Sequence, residues 1–133
     1  MVELTQTVVK AVFAPPLVPV ERAIDFEHLS RMTLGDRSLE REVLGLFVRQ
    51  AEMLRSRMET VDAGVIGAAA HTLKGSATGI GAWPIARSAA EIEATAEAGD
   101  HRSLQIAMAG LDAAITQIIA EVSENLRVDA AAN

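Results

Sequence analysis

The stretch AAAHTLKGSATGIGAWP, residues 68–84, decides how the chain is read. Ala70, Leu73, Ala77 and Ile80 recur at spacings of three and four, as on one face of an α-helix, and Ile66 continues the stripe upstream. Gly81 closes the pattern, and Pro84 disfavours helical geometry at Trp83, so the helix is expected to end near Gly81. Pro84 itself suits the first turn of a following helix. At the other end, Thr60 or Asp62 can accept from the unpaired amides of the first turn.

The same period continues on both sides. Beyond Pro15-Pro16, a short helix over Phe26 to Met32 is expected to bury Phe26, Leu29 and Met32 before Gly35 ends it. Asp36 then caps a long helix with the seam Leu39, Val43, Leu46, Phe47, Ala51, Leu54 and Met58. Downstream of Pro84, Ile85, Ala89, Ile92 and Ala96 mark a helix that stops at Gly99. Asp100 opens the last one, striped by Leu104, Met108, Leu111, Ile115, Ile118, Val122 and Leu126. Helices of about four to six turns joined by loops of about two to four residues must be antiparallel neighbours. The expected fold is all-α: an up-and-down antiparallel four-helix bundle with a short additional N-terminal helix or extension. Residues 1–20 form the extension, 21–127 the bundle and 128–133 a frayed tail.

With 133 residues, half of them apolar, the chain suffices for one domain with a real core. A net charge of -6 and the lack of any Lys/Arg run argue against nucleic acid as a partner. Cysteine is absent, which removes disulfides, thiolate metal sites and thiol nucleophiles and agrees with a cytoplasmic setting. Glu3 and Lys10 interrupt the apolar N-terminus, so it is not expected to be a secretory leader. No stretch is expected to span a membrane, so insertion is not expected.

His71 lies about 100–180° around the helix from the apolar stripe and is expected to face water. Its neighbours one or two turns away are Gly67, Ala68, Lys74, Gly75, Thr78 and Gly79, all small except Lys74. A glycine inside a helix costs about 1 kcal/mol relative to alanine, so Gly75 and Gly79 give up roughly 2 kcal/mol. The glycines make room for another protein's backbone to approach the imidazole. At neutral pH an ordinary imidazole is mostly uncharged and offers a lone pair for attack. Lys74 could favour the neutral ring and offset charge on phosphoryl oxygens. His28 and His101 have no His or carboxylate at i+3 or i+4, and no metal site is expected. Nor is there a phosphate loop, so the chain could carry a phosphoryl group but not activate one. Gln50 and Met53 of the long helix are candidates to flank His71.

His71-Thr-Leu-Lys-Gly-Ser-Ala77, followed by Ile80-Gly-Ala82, Ile85-Ala86 and Ile92-Glu93, resembles the histidine-containing phosphotransfer (HPt) domains of bacterial multistep phosphorelays. The resemblance runs from about Ile24 to Leu126 and includes Phe47 and the Gly99-Asp100 turn. It implies that His71 is the phosphoacceptor, that Lys74 assists at the phosphate and that Gly75 gives access. It also implies receiver domains and a hybrid histidine kinase as partners. The receiver would supply the aspartyl phosphate and the Mg²⁺, so the chain itself needs no cofactor. Such a chain is a monomeric phosphocarrier without kinase activity of its own.

Of three other readings, only the adaptor is kept as the alternative; the ATP-binding domain of the first is not expected in 133 residues, and no inward polar set supports the last. A histidine kinase's dimerisation and phosphoacceptor region would need a further domain for ATP. A non-phosphorylated adaptor would dock a signalling partner through the small-residue patch around His71. A bundle holding a ligand or metal would need polar residues turned inward.

Overall fold

In the computed structural model, which describes residues 21–132 and the side chains of residues 21–125, most helices begin where a carboxylate meets free amides. Asp25 accepts from the His28 amide to start α1, Phe26–Met32. Asp36 accepts from Leu39 to start α2, Arg37–Arg57. Asp62 accepts from Gly64 and Val65 to start α3, Ala63–Ile80. Asp100 accepts from the Ser103 amide in the first turn of α5, His101–Ala132. These are bonds that a helix cannot make for itself.

Between them α4, Trp83–Ala98, has no side-chain cap and carries Pro84 in its first turn. The helix thus includes Trp83, against the expectation drawn from Pro84. The preference of a pre-proline residue is modest. Here the Trp83 indole donates to Asp25 Oδ2 at 3.1 Å, and its ring meets the His28 ring edge-on at 5.1 Å.

Consecutive bundle helices pack as neighbours, and α5 returns against α2, so the ring of four closes. The core lies where Leu44, Leu54, Leu73, Ile85, Ile92, Leu111 and Ile118 converge, each at most 2% exposed. The all-α, up-and-down bundle preceded by a short helix is thus the observed fold. Residues 1–20 and the expectation about them lie outside the described residues.

Some core assignments need correcting. Met32, Leu39 and Leu46 are exposed, whereas Leu44 and Glu40 are buried. The inner face of α2 is centred on Leu44, Phe47, Ala51 and Leu54, so Leu39 and Leu46 fall on its flanks. Glu40 is tolerated inside because it accepts from the Thr33 hydroxyl at 3.3 Å. Thr33 is the buried residue just beyond α1, leaving Met32 to turn outward.

Helix α5 also exceeds the expected four to six turns. Its 32 residues make about nine, because no proline or positive-φ glycine follows Asp100 to stop it. Within it, His101–Asn125 is long and apolar enough to cross a membrane by length and composition, its most apolar 18 residues having a mean hydropathy of 1.4, contrary to expectation. Leu104, Leu111, Ile118 and Val122 are buried in the bundle, while exposed Ile106 and Ile119, together with alanines, raise the hydropathy of the outer face.

The turn between α3 and α4 is clamped by α1. Gly81 has φ +84° in the left-handed region, and the Ala82 amide donates back to Ala77 at 2.8 Å, as in a Schellman closure. The Gly81 carbonyl accepts from the Asp25 amide at 2.9 Å. His28 Nε2 donates to the Gly79 carbonyl at 3.0 Å, since a carbonyl can only accept. These contacts hold the C-terminal end of α3 and set the face that carries His71.

Candidate functional site

Ile66, Ala70, Leu73 and Ala77 of α3 are buried, so the residues opposite them must face outward. His71 does: its side chain is 69% exposed. Its inner edge nevertheless has a partner. Nδ1 lies 2.8 Å from Oε2 of Glu93 on α4, and Nζ of Lys74 donates to Oε1 of the same carboxylate at 2.7 Å. Glu93 therefore bridges the two residues singled out in α3.

A carboxylate accepts and does not donate, so Nδ1 carries the proton. In the neutral ring the lone pair is then on Nε2, at the exposed edge. The Lys74 ammonium, and after it the His71 ring, hold the Glu93 carboxyl below the usual carboxylate range by hydrogen bonding to its ionised form. Lys74 is thus paired with a carboxylate beside the imidazole. One of its three N–H bonds is engaged by Glu93, leaving two to meet an arriving anion.

Gly67, Ala68, His71 and Thr72 of α3 line a shallow groove, closed on its other side by Glu93, Ala96 and Glu97 of α4. Gly75 and Thr78 continue the outward face beyond it, and both are exposed. Gly79 is half-buried, with its carbonyl engaged by His28. A methyl group built at Gly67, Gly75 or Gly79 would meet nothing within 4 Å. None of the three is a glycine for the sake of internal packing.

The groove beside His71 is lined by α4, whereas Gln50 lines a separate groove with Ser76 and Ile80. Among the described residues, no cluster of three His, Asp or Glu side chains could hold a metal ion.

Glu93 is the site residue that the sequence reading left without a role. Its signal was its register, since it flanks the buried stripe of Ile85, Ala89, Ile92 and Ala96. Glu91 flanks the other side equally well, about 100° from Ile92 in the opposite sense.

No curated protein sequence matches the chain. The family model described as the Hpt domain matches residues 42–123. Among solved structures, histidine phosphotransferase ShpA from Caulobacter crescentus is 31% identical over 80% of this chain and 97% of its own, with a TM-score of 0.58. A rice structure and a maize structure, both named as histidine-containing phosphotransfer proteins, share the fold. The first is 15% identical over 94% of this chain and 90% of its own, with a TM-score of 0.68. The second is 18% identical over 93% and 97%, with a TM-score of 0.62. A bundle of this topology, with the family match spanning His71 and Glu93 alike, places the chain in the histidine-containing phosphotransfer domain family.

Proposed function

We propose that Nε2 of His71 is the atom that takes and returns the phosphoryl group. The chain is a histidine phosphotransfer protein that shuttles phosphoryl groups between receiver domains, an intermediate and not an enzyme with turnover of its own. The observation that carries the assignment to His71 is its bond to Glu93 on a mostly exposed side chain: Nδ1 is occupied, which leaves Nε2 as the nitrogen to meet a partner.

The arriving receiver brings an acyl phosphate on its aspartate. The Nε2 lone pair attacks phosphorus as the P–O bond to that aspartate breaks, and the carboxylate leaves with the electron pair. A well-placed imidazole contributes chiefly by position, which the Glu93 bond supplies by fixing the plane of the ring. Lys74 can turn its two remaining N–H bonds toward the phosphoryl oxygens without releasing Glu93. Gly67, Ala68, Gly75 and Thr78, with Gly79 at the margin, form the surface on which the receiver's backbone approaches. A hybrid histidine kinase would feed the relay through its receiver, and the carrier works as a cytoplasmic monomer.

His71→Gln tests the assignment. The ring is mostly exposed, so helical content and melting should change little while acid-labile phosphate acceptance from a phosphorylated receiver disappears. Undiminished labelling of the Gln variant would remove His71 as acceptor. A parent protein that binds receivers but takes label from none of them would favour the adaptor reading.

A further inference from the structure

The Glu93 bond bears on more than ring orientation. When Nε2 bonds to phosphorus, its lone pair is committed and the ring becomes cationic, with the proton still on Nδ1. Loss of that proton would leave a neutral phosphoimidazole, from which imidazolate would have to depart in the return transfer. Retention of the proton leaves neutral imidazole as the leaving group, a far weaker base and a better one. The fate of one proton thus decides how readily the carrier gives its phosphoryl group away.

We propose that Glu93 keeps the proton on His71 Nδ1 throughout the cycle, so that phosphoryl transfer onto and off Nε2 moves no proton. In the forward step the N–P bond forms and the P–O bond breaks. In the return step a receiver carboxylate attacks phosphorus, and the N–P electron pair goes back to Nε2. Nδ1–H stays in place during both, and its bond to Glu93 becomes charge-assisted in the phosphorylated state, when retention is needed. This rests on His71 being the phosphoacceptor.

The charged groups around the ring are few. Lys74 is on its own helix, and Glu93 and Glu97 face it from α4; α1, α2 and α5 bring no titratable side chain to the groove among the described residues. Lys74 opposes retention, but its ammonium is paired to the other oxygen of Glu93. Both carboxylates favour it. Glu93 stays ionised through the neutral range because two hydrogen bonds favour its charged form.

The test is single-turnover transfer from the phosphorylated full-length chain to a receiver, between about pH 6 and about pH 9, for the parent and for Glu93→Gln. The Gln amide oxygen can still accept from Nδ1–H, so the ring's orientation is kept while the charge is lost. Dividing the variant's rate by the parent's at each pH cancels the receiver's own titration. The ratio should fall by about tenfold per pH unit once the variant's phosphorylated ring loses its proton. In parallel, the ¹⁵N shift of Nδ1 in the phosphorylated parent should be of the N–H type at neutral and mildly alkaline pH, a reading that needs no variant. A ratio independent of pH, or an unprotonated Nδ1 in the phosphorylated parent, would overturn the inference while leaving His71 the acceptor. Label reaching His71→Gln would instead remove the assignment on which the inference stands.

Discussion

Gly75→Ala should make the fold more stable and the carrier no better, and the two effects can be separated. Gly75 lies in the body of α3, and an added methyl group would meet nothing within 4 Å. Alanine is favoured over glycine in a helix by about 1 kcal/mol, chiefly because glycine loses more backbone entropy on folding. For a domain of this size that amounts to a rise of about 3–6 °C in melting temperature. Gly81→Ala is the control. Its Cβ would lie 3.0 Å from the His28 ring and 3.2 Å from Asp25 Cβ, at φ +84°. The left-handed conformation alone costs a non-glycine residue about 1–2 kcal/mol, so this variant should melt several degrees lower. Gly75→Leu keeps the gain in propensity but fills the space left for a partner. A misfitting side chain at a packed contact costs about 1–3 kcal/mol, so transfer at subsaturating receiver should slow roughly ten- to hundredfold. Thermal melts followed by circular dichroism, with labelled transfer from one phosphorylated receiver, supply both readouts. A lower melting temperature for Gly75→Ala would mean that the fold itself requires the glycine. Full transfer by a stably folded Gly75→Leu would refute the idea that a partner approaches there.

Two further outcomes follow from the packing. Leu73, wholly buried beneath the face that carries His71, should cost about 2–5 kcal/mol when cut to alanine, read from a denaturant midpoint. Asp25 has its carboxyl held below the ordinary range by the His28 amide and then by the Trp83 indole. Because the folded-state value is depressed, this stabilisation is complete above the unfolded value of about 4 and is lost as pH falls through the folded one. Asp25→Ala should therefore melt below the parent at neutral pH and converge with it in acid; a gap that persists below about pH 2 would count against this origin.

Most of the fold was legible because its signals are local. The carboxylates at 36, 62 and 100 stand before apolar periods, and a cap needs only the amides of the next turn. The stripes of α4 and the described part of α5 are buried as their spacing requires, and so is that of α3 except for Ile80, which is half-buried at the helix end. The seam of α2 was less certain because Leu39, Val43, Leu44, Leu46 and Phe47 make an apolar arc wider than the core it meets. Periodicity limits such a face to within about one residue, and the neighbouring helices choose its centre.

At the site, the exposure of His71 followed from its angle to Leu73 and Ala77, and the openness around it from small residues at 67, 68 and 75. Both are properties of one helix. The role of Glu93 is different in kind, because it belongs to the pair α3 and α4. Glu91 and Glu93 stand on opposite flanks of the same buried stripe, and no rule of spacing distinguishes them. Only the side on which α3 packs brings one carboxylate to 2.8 Å from His71 Nδ1. The sequence alone determined where a nucleophilic ring would stand, since helical rotation is set by the backbone. Which nitrogen of that ring keeps the proton was decided by tertiary structure, through the one carboxylate that the packing of α4 on α3 delivers to it.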